Sequence, residues 1–373
     1  MFEGVRDLLS VLRLAQNEDE SRTLLHQLNS DPKSVRHLIS AADKYMLLSA
    51  TLHALSQRFG LLPDAADAHN GVALQLVAAA GRLTARQKKI EEGLISVVRS
   101  LNQAHIVPML LKGSACLWTG EPPWRYQRDI DILVKPAEAE ACQSVLEAAS
   151  FYPMPGQDPA PHHMQPLMHD DLPVGIEVHF AVSNPRAESY LPSNEFWRHA
   201  VSLDDGRGTV MLPGPVQHLL HMVVHSHFGH RNSVYGVAPL KGIYEFAWTI
   251  KNAPSETVRA MHDRASCNPR LLAALDLWFA AAQAELGVTS PGMPPVATDA
   301  VARWAQLMER TLDHKLPSLI TAFNEEHNMI RARSRGLDAL KHALFAPLMD
   351  IISAPIWIDR NEQALKSAGI AEV

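Results

Sequence analysis

Several features are scarce in this sequence, and each scarcity removes a class of function. Only three cysteines occur, Cys116, Cys142 and Cys267, far apart and without a CxxC pair. A disulfide framework and a zinc knuckle are therefore not indicated. No stretch reaches about 18 uncharged apolar residues, so no membrane span is expected. The opening MFEGVRDLLSVLRLAQNEDE has acids early and no apolar core leading to a small-residue cleavage site, unlike a secretion signal. Basic charge is not in excess: 34 Lys and Arg face 40 Asp and Glu, for a net charge of −6. That argues against a protein that coats nucleic acid through a basic face, but it is compatible with a local basic pocket for one nucleotide. No internal repeat and no low-complexity segment is found. The setting these absences leave is cytoplasmic and reducing.

With 47 % hydrophobic and 20 % charged residues over 373 positions, the chain is globular and too long for one small core. Two or three domains are expected. Residues 1–100 read as an N-terminal helical region, with apolar residues three and four apart in Val35, Leu38, Ile39 and Ala42. Asp31-Pro32 fits a helix start, and a long helix is predicted from Val72 to Gln103 after the loop GLLPDAADAHNG. The texture changes at Ile106. IVPMLLKG and DIDILV read as strands, and MQPLMH and VGIEVHF as two more separated by the turn-like DDLP. Mixed with helices at SACLWTG and PAEAEACQSVLEAAS, they predict a small mixed β-sheet core over 101–205. From 206 to 373 the pattern returns to helix, through PVQHLLHMVVHSHF, PLKGIYEFAWTI, ETVRAMHDRA and PRLLAALDLWFAAAQAEL. The expected class is α+β, a sheet core flanked by N- and C-terminal helical regions.

The chemistry centres on Asp129-Ile130-Asp131. On a strand, residues i and i+2 share a face, so the two carboxylates project side by side. Adjacent carboxylates repel unless a cation lies between them, and oxygen-rich sites suit Mg²⁺ or Mn²⁺. Ile130, Ile132, Leu133 and Val134 anchor the strand, which leaves the acids at a solvent-facing edge. A DxD pair alone is common, and two acids simply facing water explain it equally well. Three neighbours shift the balance. Lys112-Gly113-Ser114 stands between a strand and a helix, where glycine lets backbone approach a phosphate, helix-start N–H groups favour anions, and Ser114 and Lys112 add a hydroxyl and a charge. Glu177 lies on the apolar strand GIEVHF, where packing poorly explains a carboxylate, although His179 alternates with it. In a metal site it would be a third acid, bridging a metal or serving as base. Arg125 and Arg128 precede the pair and could neutralise triphosphate charge.

In order, these parts resemble the nucleotidyltransferase superfamily related to DNA polymerase β. More closely, LLKGSACLW, WRYQRDIDILV and GIEVHF are similar to the bacterial family described as uncharacterised nucleotidyltransferases, over roughly residues 70–260. The matching positions are Lys112, Gly113, Arg125, Asp129, Asp131, Leu133, Val134, Glu177 and His179, with His225 from PVQHLLHMVVHSHF. Two positions depart from the family pattern: Arg128 replaces a small residue, and Glu245 stands where a downstream helix usually offers Asp. The resemblance implies transfer of a nucleoside monophosphate from an NTP, with two Mg²⁺ or Mn²⁺ ions among Asp129, Asp131 and Glu177. One ion would activate the acceptor oxygen and the other would hold the triphosphate. Lys112, Gly113, Ser114, Arg125 and Arg128 would bind nucleotide, and His179 and His225 would belong to a substrate pocket. The acceptor would be a small molecule, peptide or protein side chain rather than RNA, given the acidic charge balance. A toxin-type tRNA nucleotidyltransferase and a nucleotide-binding protein without transfer are the alternatives.

Other features are set aside. The histidines at 218, 221, 225 and 227 lack an HExxH arrangement and fit a packed helix or a substrate pocket better than zinc. Paired His162-His163 reads as loop. Trp124 reads as packing rather than base stacking. The three arginines of EEHNMIRARSRG follow acids and support no nucleic-acid patch.

Overall fold

Two central strands separate two cores, because their alternate residues enter different surroundings. The computed structural model describes residues 2–14, 23, 32–59, 71–155, 157–230 and 237–312. Asp31, most of the loop GLLPDAADAHNG, and EEHNMIRARSRG lie outside the described residues. Among those described, no helix is long and apolar enough to cross a membrane.

Helices α1 (Phe2–Leu12), α2 (Pro32–Lys44) and α3 (Leu48–Phe59) come first, followed by the long α4 (Gly71–Gln103). Strand β1 (Met109–Leu110) leads into α5 (Lys112–Thr119), which ends on the left-handed Gly120. Then come β2 (Asp129–Leu133), α6 (Ala139–Ala148), β3 (Tyr152–Pro153), β4 (Leu167–Met168) and β5 (Gly175–His179). The short helices α7 (Pro185–Glu188) and α8 (Ser193–Arg198) precede the hairpin β6 (Val201–Asp204) and β7 (Thr209–Leu212). The sheet is mixed, with the order β3-β4-β5-β2-β1-β7-β6. MQPLMH and VGIEVHF do pair antiparallel, through Leu167 and Ile176.

β2 and β5 run parallel at the centre, with Asp131 opposite Glu177 and Leu133 opposite His179. One face of these strands carries Ile130, Ile132, Ile176 and Val178. They pack with Leu110 and Val210 against Ile90, Leu94, Val97, Val98 and Leu101 of α4 and Cys142 and Leu146 of α6. Those α4 positions fall three and four apart, which makes one helix stripe. The opposite face carries Asp129, Asp131, Glu177 and His179. Met109 and Leu133 on that side join a different core, built by helices.

That second core is formed by α9 (Pro215–Val224), α10 (Leu240–Asn252), α11 (Ser255–Ser266), α12 (Pro269–Leu286) and α13 (Thr298–Leu312). α12 is apolar around much of its circumference, as a central helix must be, and Asn268 caps it by accepting from Arg270 and Leu271 N–H. Helices α1–α3 belong to this core as well. Val5, Leu8 and Leu12 share it, Leu14 N–H donates to Leu286 O, and Lys251 Nζ donates to Leu14 O. A turn of π-helix, His225–Gly229, continues α9. The acid-bearing face of the sheet thus looks onto helices from both ends of the described chain.

Candidate active site

Asp131 is the hub. Its Oδ1 accepts from Lys112 Nζ and from His179 Nε2, each at 2.8 Å. His179 Nε2 also lies 3.2 Å from Glu177 Oε2, so the imidazole bridges the two acids that the register sets side by side. The Asp131 N–H donates to Ser114 Oγ at 2.9 Å. Its other carboxylate oxygen, Oδ2, is buried and has no hydrogen-bond partner. Buried polar atoms are nearly always satisfied, so this oxygen is suited to serve as a ligand for a cation.

The charges are uneven. Burial opposes ionisation of Asp131, but Lys112 and His179 together hold its carboxyl well below the usual range. Asp129 is less well supported: burial, and then the charge of Asp131, push its pKa up to about 6 against the pull of Lys112 and Arg125. Burial works against Glu177 too, and the hydrogen bond from His179 brings its pKa below the ordinary value. His179 is raised despite burial by its bonds to Asp131 and Glu177. Lys112 is likewise held protonated against burial by Asp131, Asp129 and Glu177. Asp131, Glu177 and His179 each offer a ligand atom within 4.8 Å of the others, and so form a group that could hold a metal ion.

Asp131 does not sit at a solvent edge as the strand pattern suggested. It is wholly buried, because the helical core covers this face of the sheet. Ser114 is also buried, with its hydroxyl oxygen engaged by the Asp131 backbone. Lys112 adopts a positive φ of 46°, a conformation disfavoured for residues with a side chain, at the point where it reaches Asp131. His179 is wholly buried beside the acids, and His162 and His163 pack their rings against it at centroid distances of 5.5 and 5.3 Å.

A cleft of about 440 Å³ adjoins these groups. Lys112, Arg125, Arg128 and Asp129 line it from the sheet side, and His218, His221, His225, Lys241 and Glu245 from α9, the π turn and α10. Lys44, Tyr45 and Met46, at the end of α2, close another wall, where Arg128 reaches Met46 Sδ at 3.4 Å. Burial keeps the histidines neutral: His218 is pulled down to about 4, and His221 and His225 fall well below their ordinary value. His225 Nε2 meets His230 Nε2 at 2.9 Å, but no third metal-ligating group joins them among the described residues.

Two residues that the motifs did not flag hold the cleft together. Gln127, buried, donates from Nε2 to Gly113 O at 2.6 Å and accepts from Arg125 Nη1 at 3.2 Å. A Cβ at Gly113 would run into both Gln127 Oε1 and Arg125 Nη1, which explains the glycine by close approach. Lys241 Nζ lies 2.8 Å from Glu245 Oε1, and Arg125 Nε lies 3.0 Å from the same oxygen. The Lys-x-x-x-Glu spacing on an apolar helix was the available signal for Lys241; nothing local marks Gln127. Trp124 is packing, buried against Tyr244 and Trp248.

The family model described as uncharacterised nucleotidyltransferase matches residues 33–282, a span that contains every group named at the site, and the chain belongs to that family. A comparison with curated proteins gives no match.

Proposed function

We propose that this protein transfers a nucleoside monophosphate from an NTP to a hydroxyl or similar acceptor on a small molecule, peptide or protein, releasing pyrophosphate. The observation that carries this reading is Asp131: one oxygen fixed by Lys112 and His179, the other buried and unpartnered, beside a cleft lined by cations. Asp131, Asp129 and Glu177 would hold Mg²⁺ or Mn²⁺, with His179 grouped with Asp131 and Glu177. Such an ion, when bound, would supply Lewis-acid activation of the acceptor and charge neutralisation at the phosphates.

The chain's own residues account for the rest. Lys112 and His179 keep Asp131 ionised and fixed in orientation. Asp129, with its raised pKa, can exchange a proton for a cation. Arg125 and Arg128 face the cleft with positive charge for a polyphosphate, and Gln127 holds the Gly113 turn by donating to its carbonyl. His225 belongs to the wall of the pocket. The proposed division takes the sheet core from 101 through β7, which pairs with β1 and β6, and a C-terminal helical region beyond it. Helices α1–α3 pack with that C-terminal region, and α4 packs on the sheet. The two buried cysteines and the exposed Cys267 are all free, in keeping with a reducing compartment.

The test is incubation of the full chain with labelled NTPs and Mg²⁺ or Mn²⁺, with acceptor candidates drawn from small molecules, peptides and proteins. Pyrophosphate release that is lost in Asp129→Ala and Asp131→Ala is expected. Release unchanged in both variants would sink the assignment.

A further inference from the structure

Two cations share one carboxylate oxygen at the helical wall of the cleft. Arg125 and Lys241 both contact Glu245 Oε1, at 3.0 and 2.8 Å, and all three side chains are largely buried. One carboxylate cannot neutralise two buried cations, so the cluster carries surplus positive charge where water screens it poorly. Among the described residues Asp129 is the other acid lining this cleft, and the metal assignment already commits it. The two cations are also held differently. Arg125 is anchored at two points, by Glu245 and by Gln127, which in turn grips the Gly113 turn. Among the described residues Lys241 has one ion-pair contact, on an oxygen that Arg125 also claims, and it sits on a flexible four-carbon stem. Burial and the nearby Arg125 pull its ammonium below the ordinary lysine value, against the attraction of Glu245.

We infer that Lys241 is a polyphosphate-binding residue, which leaves Glu245 to pair with Arg125 when the pyrophosphoryl end of a nucleoside triphosphate enters the cleft. It would bring a phosphate contact from α10 to a site whose other cations come from the sheet side and, as Lys44, from the end of α2. The inference rests on the proposed transfer reaction, since that reaction puts a triphosphate in the cleft. A cation that gains an anionic partner in a poorly hydrated site is strengthened in its charged form. Lys241 would therefore govern affinity for the pyrophosphoryl group without touching the metal acids.

The experiment titrates the full chain with inorganic pyrophosphate in Mg²⁺ and separately measures Mn²⁺ binding by electron paramagnetic resonance. Lys241→Met should lose at least tenfold in pyrophosphate affinity while Mn²⁺ affinity stays within twofold, and Lys241→Arg should recover most of the loss. In the wild-type chain, mass-spectrometric acetylation of Lys241 should slow at least tenfold when pyrophosphate is bound, a readout that does not depend on any variant folding. Pyrophosphate binding with unchanged Lys241 labelling, or with unchanged affinity in Lys241→Met, overturns the inference and leaves the transfer reading intact. A wild-type chain that binds Mn²⁺ but no pyrophosphate at millimolar concentration overturns the inference together with the transfer reading it rests on.

Discussion

The two faces of β2 and β5 are made by the same ten residues and behave as opposites. On one face Ile130, Ile132, Ile176 and Val178 are fully buried against α4 and α6 with no polar group to satisfy. On the other, Asp129, Asp131, Glu177 and His179 are crowded together under the helical core, with a buried oxygen unpartnered and one carboxyl pushed up to about 6. The first face stabilises the sheet. The second is held in place by the first; within it Asp129, its pKa raised, opposes the fold once ionised, while the contacts of Lys112 and His179 with Asp131 favour it.

The sharpest way to break this contrast is to remove the hub acid. Asp131→Ala should lower nucleotidyl transfer by about 10³-fold or more, the scale seen when a group that stabilises developing charge is lost. Circular dichroism on the same sample should show the sheet retained. On the apolar face the effect should invert. Ile176→Ala should cost about 2–5 kcal/mol in denaturant unfolding while the transfer rate per folded molecule stays near wild type. A large loss of specific activity in that variant would show that the faces are not separable.

How much of this contrast can be read from the sequence depends on how local its cause is. The DxD strand, the hairpin that carries Glu177 and the long helix predicted from Val72 to Gln103 follow from alternation and periodicity, and all three are present. The parallel register that sets Asp131 opposite Glu177 is a pairing between segments 46 residues apart, which no local pattern fixes. Burial of Asp131 depends on helices from both ends of the described chain, so its strand alone misleadingly reads as solvent-facing. Lys112 is legible as a cation at a strand-to-helix turn, but its contact with Asp131 requires β1 and β2 to be neighbours. Gln127 is a single polar residue in a loop, and only the fold reveals that it grips Gly113.

Smaller effects sharpen the contrast within the polar face. His179→Gln should weaken Mn²⁺ binding by about 10–100-fold, the usual cost of disturbing a group that orients or supplements metal ligands. Calorimetric titration would measure it, and an unchanged affinity would remove His179 from the site. Asp129→Asn should have a modest effect of the opposite sign on stability. The Asp129 pKa is about 6 in the fold against 3.8 for a free side chain, so the unfolded chain gives up its proton first as pH rises. Stability is therefore lost between those two values and stays lower above them. In metal-free buffer at pH 7.5 the variant should melt a few degrees higher, at about 2–4 °C per kcal/mol, and the gain should vanish near pH 4. A gain independent of pH would assign it to packing.

The most direct test of the site is equilibrium binding of NTPs to the full chain with Mn²⁺ or with EDTA, in wild type and Asp131→Asn. Binding that requires the divalent ion and is lost in the variant is the expected result. Equal affinity in EDTA, or in Asp131→Asn, would contradict a metal-nucleotide site built on the acid face of the sheet.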